Sequence, residues 1–287
     1  MPAESSDNSS TPLHARTRAA YESVAAGWER WEPHFACFTA PVTQWLMAAV
    51  RPKAGHSILD VGCGTGDPAV HLATAVAPTG RVTAIDLSPA MLDVARRRAL
   101  ALRINLIDFK ERAFEDADFP PGTFDSVVGR WSLIFSDRIR EVLARVRGWL
   151  RTGGRLAVST WTPMENSPGF LMINEAIRRV TGLPAPDPEQ PGMQYLSQPG
   201  RLEAVLKEAG FRDVSTQRVP LAAVVRDGRE YWEMSRETGA SLTAVLSRLH
   251  PGQVAEIGNE VAAGAERFRS GRVLRIPAVA QVGAGTA

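Results

Sequence analysis

Residues 58–73 read ILDVGCGTGDPAVHLA. A short apolar run leads into three glycines at alternate positions, and a helical pattern follows. Such a run folds as a buried strand, a tight turn and a helix packed back on the strand, the opening half of a β-α-β unit. Glycine there permits a positive φ or the close approach of a ligand to the backbone. A dinucleotide fingerprint would be spaced G-x-G-x-x-G. Here Gly62, Gly64 and Gly66 are spaced G-x-G-x-G, and Asp67 stands where the third fingerprint glycine would be. A pyrophosphate at this helix N-terminus would meet that carboxylate. Asp67-Pro68 also has the form of an N-cap followed by proline at the first helical position, so Asp67 is expected to serve the helix rather than a ligand.

The alternation continues for a hundred residues. SILDVG is read as a strand and Pro68 to Val76 as a helix. RVTAID and a helix from Pro89 to about Leu102 follow. INLIDFKERAF holds a third strand and TFDSVVGRW a fourth. A helix spans about Ile139 to Leu150, and RTGGRLAVSTW is a turn and a fifth strand. This rhythm predicts an α/β fold, a doubly wound, mostly parallel sheet with helices on both faces. Before it, residues 14–32 form an amphipathic helix, with Tyr21, Val24, Ala25 and Trp28 at helical spacing, and 41–50 a second. After Trp161 the rhythm breaks. Residues 163–196 are rich in proline and glycine around one short helix, FLMINEAIRRV. Pro199–Ala209 is read as a helix and 212–225 as a strand. Residues 228–269 are helical, broken at Gly239 and at Pro251-Gly252, and RVLRIPAVAQVGA closes as a strand. No linker separates domains. Residues 1–12 are expected to be a disordered tail, and 13–287 a single domain.

Composition excludes several classes. The net charge of +2 argues for neither nucleic acid nor an anionic membrane as partner. Only three of the 33 basic residues are lysine, Lys53, Lys110 and Lys207, a bias of base composition rather than of phosphate binding. Cys37 and Cys63 make no disulfide framework, which fits a reducing, cytoplasmic setting. No stretch approaches the roughly 20 apolar residues of a membrane span, and residues 1–12 lack the apolar core of a signal peptide.

The second strand ends in Asp86, 24 positions after Gly62. An acid there is placed to accept both hydrogen bonds of a ribose diol. The next helix already has a cap in Ser88-Pro89. The turn and the acid together point to a ligand with an adenosyl group and no phosphates.

ILDVGCGTG and AIDLSPAML at this spacing resemble a class I S-adenosylmethionine-dependent methyltransferase. GTGDPAV, FPPGTFDSVVGRWSLIFSD and LRTGGRLAVSTW are similar to the ubiquinone/menaquinone-pathway group within that class. The resemblance covers roughly residues 15–225 and is specific over 57–161. It implies a Rossmann-like, seven-stranded sheet whose last strand is antiparallel. It divides the domain into a cofactor-binding core (55–161), an N-terminal helical lid (13–52) and helical substrate-lid insertions (163–196 and 228–269). It implies S-adenosyl-L-methionine as cofactor, a cation without phosphates, beside which the acids of the turn are tolerable. Backbone groups at Gly62, Cys63 and Gly64 would hold its amino-acid end, with Asp60 favouring the ammonium, and Asp86 the ribose. Leu87 and Met91 would flank the adenine or join the core. Family members often carry an acid after the third strand that contacts the adenine amino group. That position is Ala113 here, which leaves a backbone carbonyl, water or Asp116. Phe114 would stack on the base. Arg130 and Trp131 would lie beside the methionine portion, with Trp131 facing the sulfonium or packing in the core. Tyr21 would close over the amino-acid end, with Trp28 and Trp31 near the substrate mouth.

Methyl transfer is an in-line displacement in which alignment carries much of the catalysis. Where the acceptor must be deprotonated, histidine is the usual base near neutral pH. His14 lies near the tail, His56 in a turn and His71 in the first core helix, which leaves His34 and, after it, His250. No Asp-Pro-Pro-Tyr-type element follows the fourth strand, against methylation of nucleic-acid amines. No clustered His, Cys and Asp set suggests a metal. Phe170, Met172, Met193, Tyr195, Trp232, Met234 and Leu246 are expected to line an apolar pocket for a small organic metabolite, aromatic or polyketide-like. Two other readings stay open at this level: a protein of the same fold that binds the cofactor without methylating, and a nicotinamide dehydrogenase, against which Asp67 speaks.

Overall fold

The alternation read between residues 57 and 161 is present in a computed structural model that describes residues 12–287. Three helices lead in: α1 (Pro12–Glu22), α2 (Ala25–Arg30) and α3 (Glu32–Val50). Then come β1 (Ser57–Val61), α4 (Asp67–Val76), β2 (Arg81–Asp86), α5 (Pro89–Ala101), β3 (Ile107–Glu111), β4 (Phe124–Arg130), α6 (Ile139–Trp149) and β5 (Leu150–Trp161). The remainder is α7 (Pro168–Thr181), α8 (Arg201–Glu208), β6 (Arg212–Val225), α9 (Gly228–Thr238), α10 (Ala240–Leu246), α11 (Pro251–Ala265), the two-residue β7 (Arg269–Ser270) and β8 (Val273–Thr286).

The sheet order is β3-β2-β1-β4-β5-β8-β6, with β7 paired only to β8. β1 to β5 are mutually parallel, and β8 runs antiparallel to both β5 and β6. The expected seven-stranded, mostly parallel sheet is therefore present, with β7 as a short addition. Ile58, Leu59 and Val61 of β1 are buried because helices cover both faces. Strand order reverses between β1 and β4. In such sheets ligands bind outside the carboxyl ends of the strands at that point.

β6 and β8 are the longest strands, 14 residues each. At about 3.3 Å per residue they span roughly 45 Å. Their near ends belong to the main core with Leu202, Leu206 and Phe211. Their far ends, Val225, Leu274 and Ile276, join a second core with Met172 and Ile173 of α7, Tyr231 and Met234 of α9, and Ile257 and Val261 of α11. One pair of strands thus carries both the nucleotide-type sheet and a separate helical layer.

Several boundaries differ from the sequence reading. Residues 1–11 of the expected tail lie outside the described residues, and Pro12 already opens α1. The single helix read over 14–32 breaks at Ser23-Val24, where the Ser23 hydroxyl donates to the Ala20 carbonyl and competes with the helix. A further bend falls at Trp31. The next helix begins at Glu32, not 41, and runs through Pro41. Pro251-Gly252 starts α11 rather than breaking it. The His250 side chain accepts from the Gly252 N–H while Gln253 accepts from the His250 N–H, a capping box. His250 is thereby an exposed cap and does not line the cavity described below. No helix among the described residues is long and apolar enough to cross a membrane.

The N-terminal segment is strapped to the helical layer at α9. The Trp28 indole donates to the Thr238 carbonyl at 3.0 Å, and Trp31 donates to Glu237 at 2.8 Å. Gly27 permits this: a Cβ there would stand 1.9 Å from the Glu237 carbonyl oxygen. Gly27→Ala should therefore push α2 off α9 and destabilise the protein by about 1–3 kcal/mol, as overpacking does. Thermal unfolding and hydrogen exchange read this. Unchanged melting with unchanged protection of both helices would show that the contact does not hold the strap.

Candidate active site

A cavity of about 550 Å³ opens where β1, β2, β4 and β5 end. Four sequence segments form its floor: Gly62 to Thr65 after β1, Asp86 to Ser88 at the end of β2, Ala113 to Glu115 after β3, and Arg130 to Ser132 at the end of β4. Tyr21, His34, Cys63, Gly64, Leu87, Met91, Phe114 and Trp131 line it with them. Of the site residues expected from sequence, Asp60 is the exception. It is fully buried beneath the turn and is not on the wall.

The turn explains two of its glycines. Gly62 has φ +64, and a Cβ there would lie 2.3 Å from the Ser132 Cβ, so the turn and the β4 exit pack backbone to side chain. Gly64 has φ +52, and a Cβ there would meet nothing within 4 Å, because it faces the open cavity. Asp86 fastens this turn to β2. One carboxylate oxygen accepts from the Gly64 N–H at 2.8 Å, the other from the Ser88 N–H at 2.9 Å. Enclosure by protein raises the Asp86 pKa, and the Ser88, Gly64 and Leu87 amides oppose part of that rise.

Asp67 is not the cap expected of it. Gly66 holds the N-cap position of α4, and no side chain caps that helix. The Asp67 carboxylate instead pairs with Arg130 in a very close contact and with Arg98 at 3.1 Å, and accepts from Thr43 at 3.4 Å. Arg130 also donates to Thr39 and Thr43, each at 2.8 Å, and Arg98 reaches Glu32 at 2.5 Å. Burial pushes the Asp67 pKa up, but Arg130, Arg98 and His71 carry it below the ordinary value. The carboxylate stands in the first turn of α4, among these two arginines.

Asp60 has the opposite balance. Neither carboxylate oxygen has a hydrogen-bond partner of normal geometry. Burial, with Asp86 and Asp67 adding to it, outweighs Arg130 and the Ala69 amide and pushes its pKa up to about 7.

Aromatic rings line the far side. Trp131 sits at φ +53, an unusual conformation for a bulky residue. Its N–H points at the hydroxyl and carbonyl of Ser159, and its indole donates to the Thr160 carbonyl at 3.2 Å. Its ring stacks on Trp161 with centroids 4.7 Å apart and planes 13° apart. Trp161 in turn stacks on Phe38 at 6.3 Å and meets Phe170 edge-on at 4.9 Å. Phe38, Phe35 and Trp28 continue the row to the α9 strap. His34 lies on the first turn of α3, edge-on to Trp31 at 5.1 Å. Tyr21 is edge-on to Phe135 at 5.5 Å, and burial, then Asp86, raises its hydroxyl pKa.

Phe170, Met193 and Met234 line the cavity as expected. Met172 and Tyr195 are buried in the cores, and Trp232 and Leu246 pack against the second core from outside. Trp161, His14 and Glu115 were missed. Trp161 ends a strand, a position as consistent with core packing as with a site. His14 was set aside for its nearness to the chain end, yet it is buried, with Nε2 3.2 Å from Glu115 Oε2. Its i, i+4, i+7 relation to Arg18 and Tyr21 was the available signal.

Two outcomes follow. Asp67→Ala should cost about 3–5 kcal/mol, because it leaves Arg130 and Arg98 buried beside no carboxylate. A lost cap would cost about 1 kcal/mol, and chemical denaturation separates the two. For Asp60, a carboxyl with a raised folded pKa contributes its full stability below the unfolded value, near 3.9, and loses it as pH rises through about 7. The melting temperature of Asp60→Asn should therefore gain on that of the unsubstituted protein between pH 4 and about 7. A constant difference across this window would refute the assignment.

A family model described as "Methyltransferase domain" matches residues 58–154. The chain is 31% identical over 218 residues to the demethylmenaquinone methyltransferase of Symbiobacterium thermophilum, covering 70% of this chain and 81% of that protein. It is 33% identical over 123 residues to the aklanonic acid methyltransferase DauC of Streptomyces sp. (strain C5), covering 43% of this chain and 56% of that one. In fold it is similar to the geranyl diphosphate C-methyltransferase of Streptomyces coelicolor A3(2), with a TM-score of 0.57 at 16% identity, over 97% of this chain and 99% of the other. With the glycine turn, Asp86 and the strand order already described, these likenesses establish that the chain belongs to the class I S-adenosylmethionine-dependent methyltransferases, in the ubiquinone and menaquinone methyltransferase group.

Proposed function

We propose that this methyltransferase methylates a carbon or oxygen of a small, largely apolar metabolite of aromatic or polyketide type, in the cytoplasm and without nucleic acid as partner. The observation that carries this is the joining of the glycine turn and the aromatic row in one cavity. Two cysteines without a disulfide and a net charge of +2 support the setting. Residues 55–161 act as the cofactor core, and residues 13–52, 163–196 and 228–269 as lids over the acceptor.

The donor set fits a cationic cofactor without phosphates. Asp86 and Glu115 line the cavity, while Arg130 is held by Asp67, and Arg18 by Glu22 and Glu111. Bound S-adenosylmethionine supplies a methyl group on a positively charged sulfur. In this reading the backbone of Gly62, Cys63 and Gly64 holds its amino-acid end. Asp60 acts on the ammonium only through the field beneath the turn. Asp86 accepts from the ribose diol. Leu87, Met91, Ala113 and Phe114 enclose the adenine. Arg130 and Trp131 lie beside the methionine portion, with the Arg130 guanidinium over the Trp131 ring, 5.7 Å from its centroid. Tyr21 closes the amino-acid end and excludes water. The aromatic row aligns the acceptor for in-line attack. His34 Nε2 or Nδ1 takes the acceptor's proton where one must leave.

Mass spectrometry with methyl-labelled cofactor and a panel of phenols and 1,3-diketones tests the reaction. Label transfer to at least one such acceptor is expected, and label confined to the cofactor across the panel would count against the substrate class. Because Asp86 also holds Gly64 and Ser88, Asp86→Asn is the cleaner variant. It should weaken cofactor affinity about ten- to a hundredfold, through one lost charge-assisted bond. His34→Gln should lower turnover and leave cofactor affinity unchanged.

A further inference from the structure

The part of the cavity wall built by α7, α9, β6 and β8 carries no charged side chain among the described residues. Phe170 of α7 joins it to the aromatic row: it meets Trp161 edge-on, and Trp161 stacks on Trp131. An ion placed against this wall would be withdrawn from water with no counter-charge beside it. A neutral polar group needs only a hydrogen-bond partner there. Ser235 and Thr238 lie on the wall, but their hydroxyls already donate to the main-chain carbonyls of Tyr231 and Met234, each at 2.7 Å. Asn174 and Tyr231 are different.

Asn174 lines the cavity, and its amide nitrogen donates to the Phe170 carbonyl at 2.9 Å. A carbonyl only accepts, so this bond fixes which end of the amide is nitrogen. The amide oxygen accepts from none of the described residues. Tyr231 is only 3% exposed yet lines the cavity. Its hydroxyl lies against the first turn of α7, so close that a Cβ on Gly169 would stand 2.4 Å from it. The Ser235 side chain hydrogen-bonds Tyr231. A phenol oxygen has one hydrogen and two lone pairs, so it keeps a lone pair for a ligand whichever way that bond runs. The two oxygens are thus fixed at neighbouring positions of α7, one at Gly169 and one at Phe170.

We infer that Asn174 and Tyr231 are specificity-determining residues, which hold a neutral hydroxyl of the acceptor at the α7 end of the aromatic row, distinct from the atom that is methylated. The hydroxyl supplies the hydrogen and the two side chains supply the lone pairs. The acceptor class narrows accordingly, from a largely apolar metabolite to an uncharged one with a second, unmethylated hydroxyl. A methyl ether in that place leaves both oxygens without a donor, and a site built to bind a hydroxyl discriminates strongly against its absence. Gly169 belongs to the arrangement, because a side chain there would displace the Tyr231 hydroxyl. The inference rests on the acceptor placement given under the proposed function.

The test is a calorimetric titration of the full chain, saturated with S-adenosylhomocysteine, with 2,7-dihydroxynaphthalene and with 7-methoxy-2-naphthol. The second compound keeps one hydroxyl for the reacting end and masks the other. The unsubstituted protein should prefer the diol by about ten- to a hundredfold, the range for polar groups left unpaired on burial. Tyr231→Phe and Asn174→Leu, both close in shape to the native residues, should each reduce that preference, and the double variant should abolish it. Gly169→Ala should reduce it too, although both oxygens remain. The preference is a ratio within one folded variant, so a general loss of stability lowers both affinities and leaves it unmoved. Equal affinity of the unsubstituted protein for the two compounds, or a preference that survives in the double variant, would overturn the pair and leave the acceptor class standing. Binding of neither compound would overturn the acceptor class and the pair together.

Discussion

The Asp67 carboxylate is the point on which the site's geometry depends. It stands at the start of α4, pairs with Arg130 at the end of β4 and Arg98 on α5, and lies beside Thr43 on α3. Through Arg98 it also reaches Glu32 at the start of α3. Four elements distant in sequence are therefore held by charges withdrawn from water, where each depends on its partners. The network sets the glycine turn against the β4 exit, so that Gly62 lies against Ser132 and the next residue back, Trp131, faces the cavity.

Trp131 shows how much the surroundings determine that exit. A bulky residue at positive φ costs of the order of 1–3 kcal/mol and persists only where its neighbours leave no alternative. Here the neighbours are the Ser159 and Thr160 main chain of β5 and the face of Trp161. The strain and the stacking together fix a pair of indole rings at the end of the sheet, on the wall of the cavity.

The two cores divide the labour. The sheet core buries β1, β4 and β5 with α4 and α6 and forms the rigid floor of the cavity. The second core, on the far ends of β6 and β8, carries α7, α9 and α11 and forms its roof. α1 and α2 join them: α1 to the loop after β3 through His14 and Arg18, and α2 to α9 through Trp28, across the gap that Gly27 keeps open. The N-terminal segment is thereby anchored to both floor and roof.

Local signals carried most of the floor. The apolar run of β1, the glycines at 62 and 64, and the acid at 86 each have a short-range physical cause, so the α/β class and the glycine turn were legible in the residues; the other cofactor-site candidates came from the family resemblance, and of the expected pocket residues Phe170, Met193 and Met234 line the cavity while Met172, Tyr195, Trp232 and Leu246 do not. The helix boundaries near Ser23, Glu32 and Pro251 were less so, because a side-chain bond at Ser23 and a capping box at His250 outweighed the general preferences of serine, proline and glycine. Asp67 was misassigned for a related reason. A capping aspartate and an ion-paired one look identical in sequence, and only the arrival of Arg130 and Arg98, 63 and 31 residues away, distinguishes them. The same holds for Glu115, Trp161 and His14, which matter through partners on other elements. By itself the sequence determined the repeating strand-turn-helix unit and the glycine turn, because backbone conformation and burial period are local properties. Only the tertiary structure decided which buried charges pair, which rings stack and which carboxylate meets the cavity, because those depend on distances that folding alone creates.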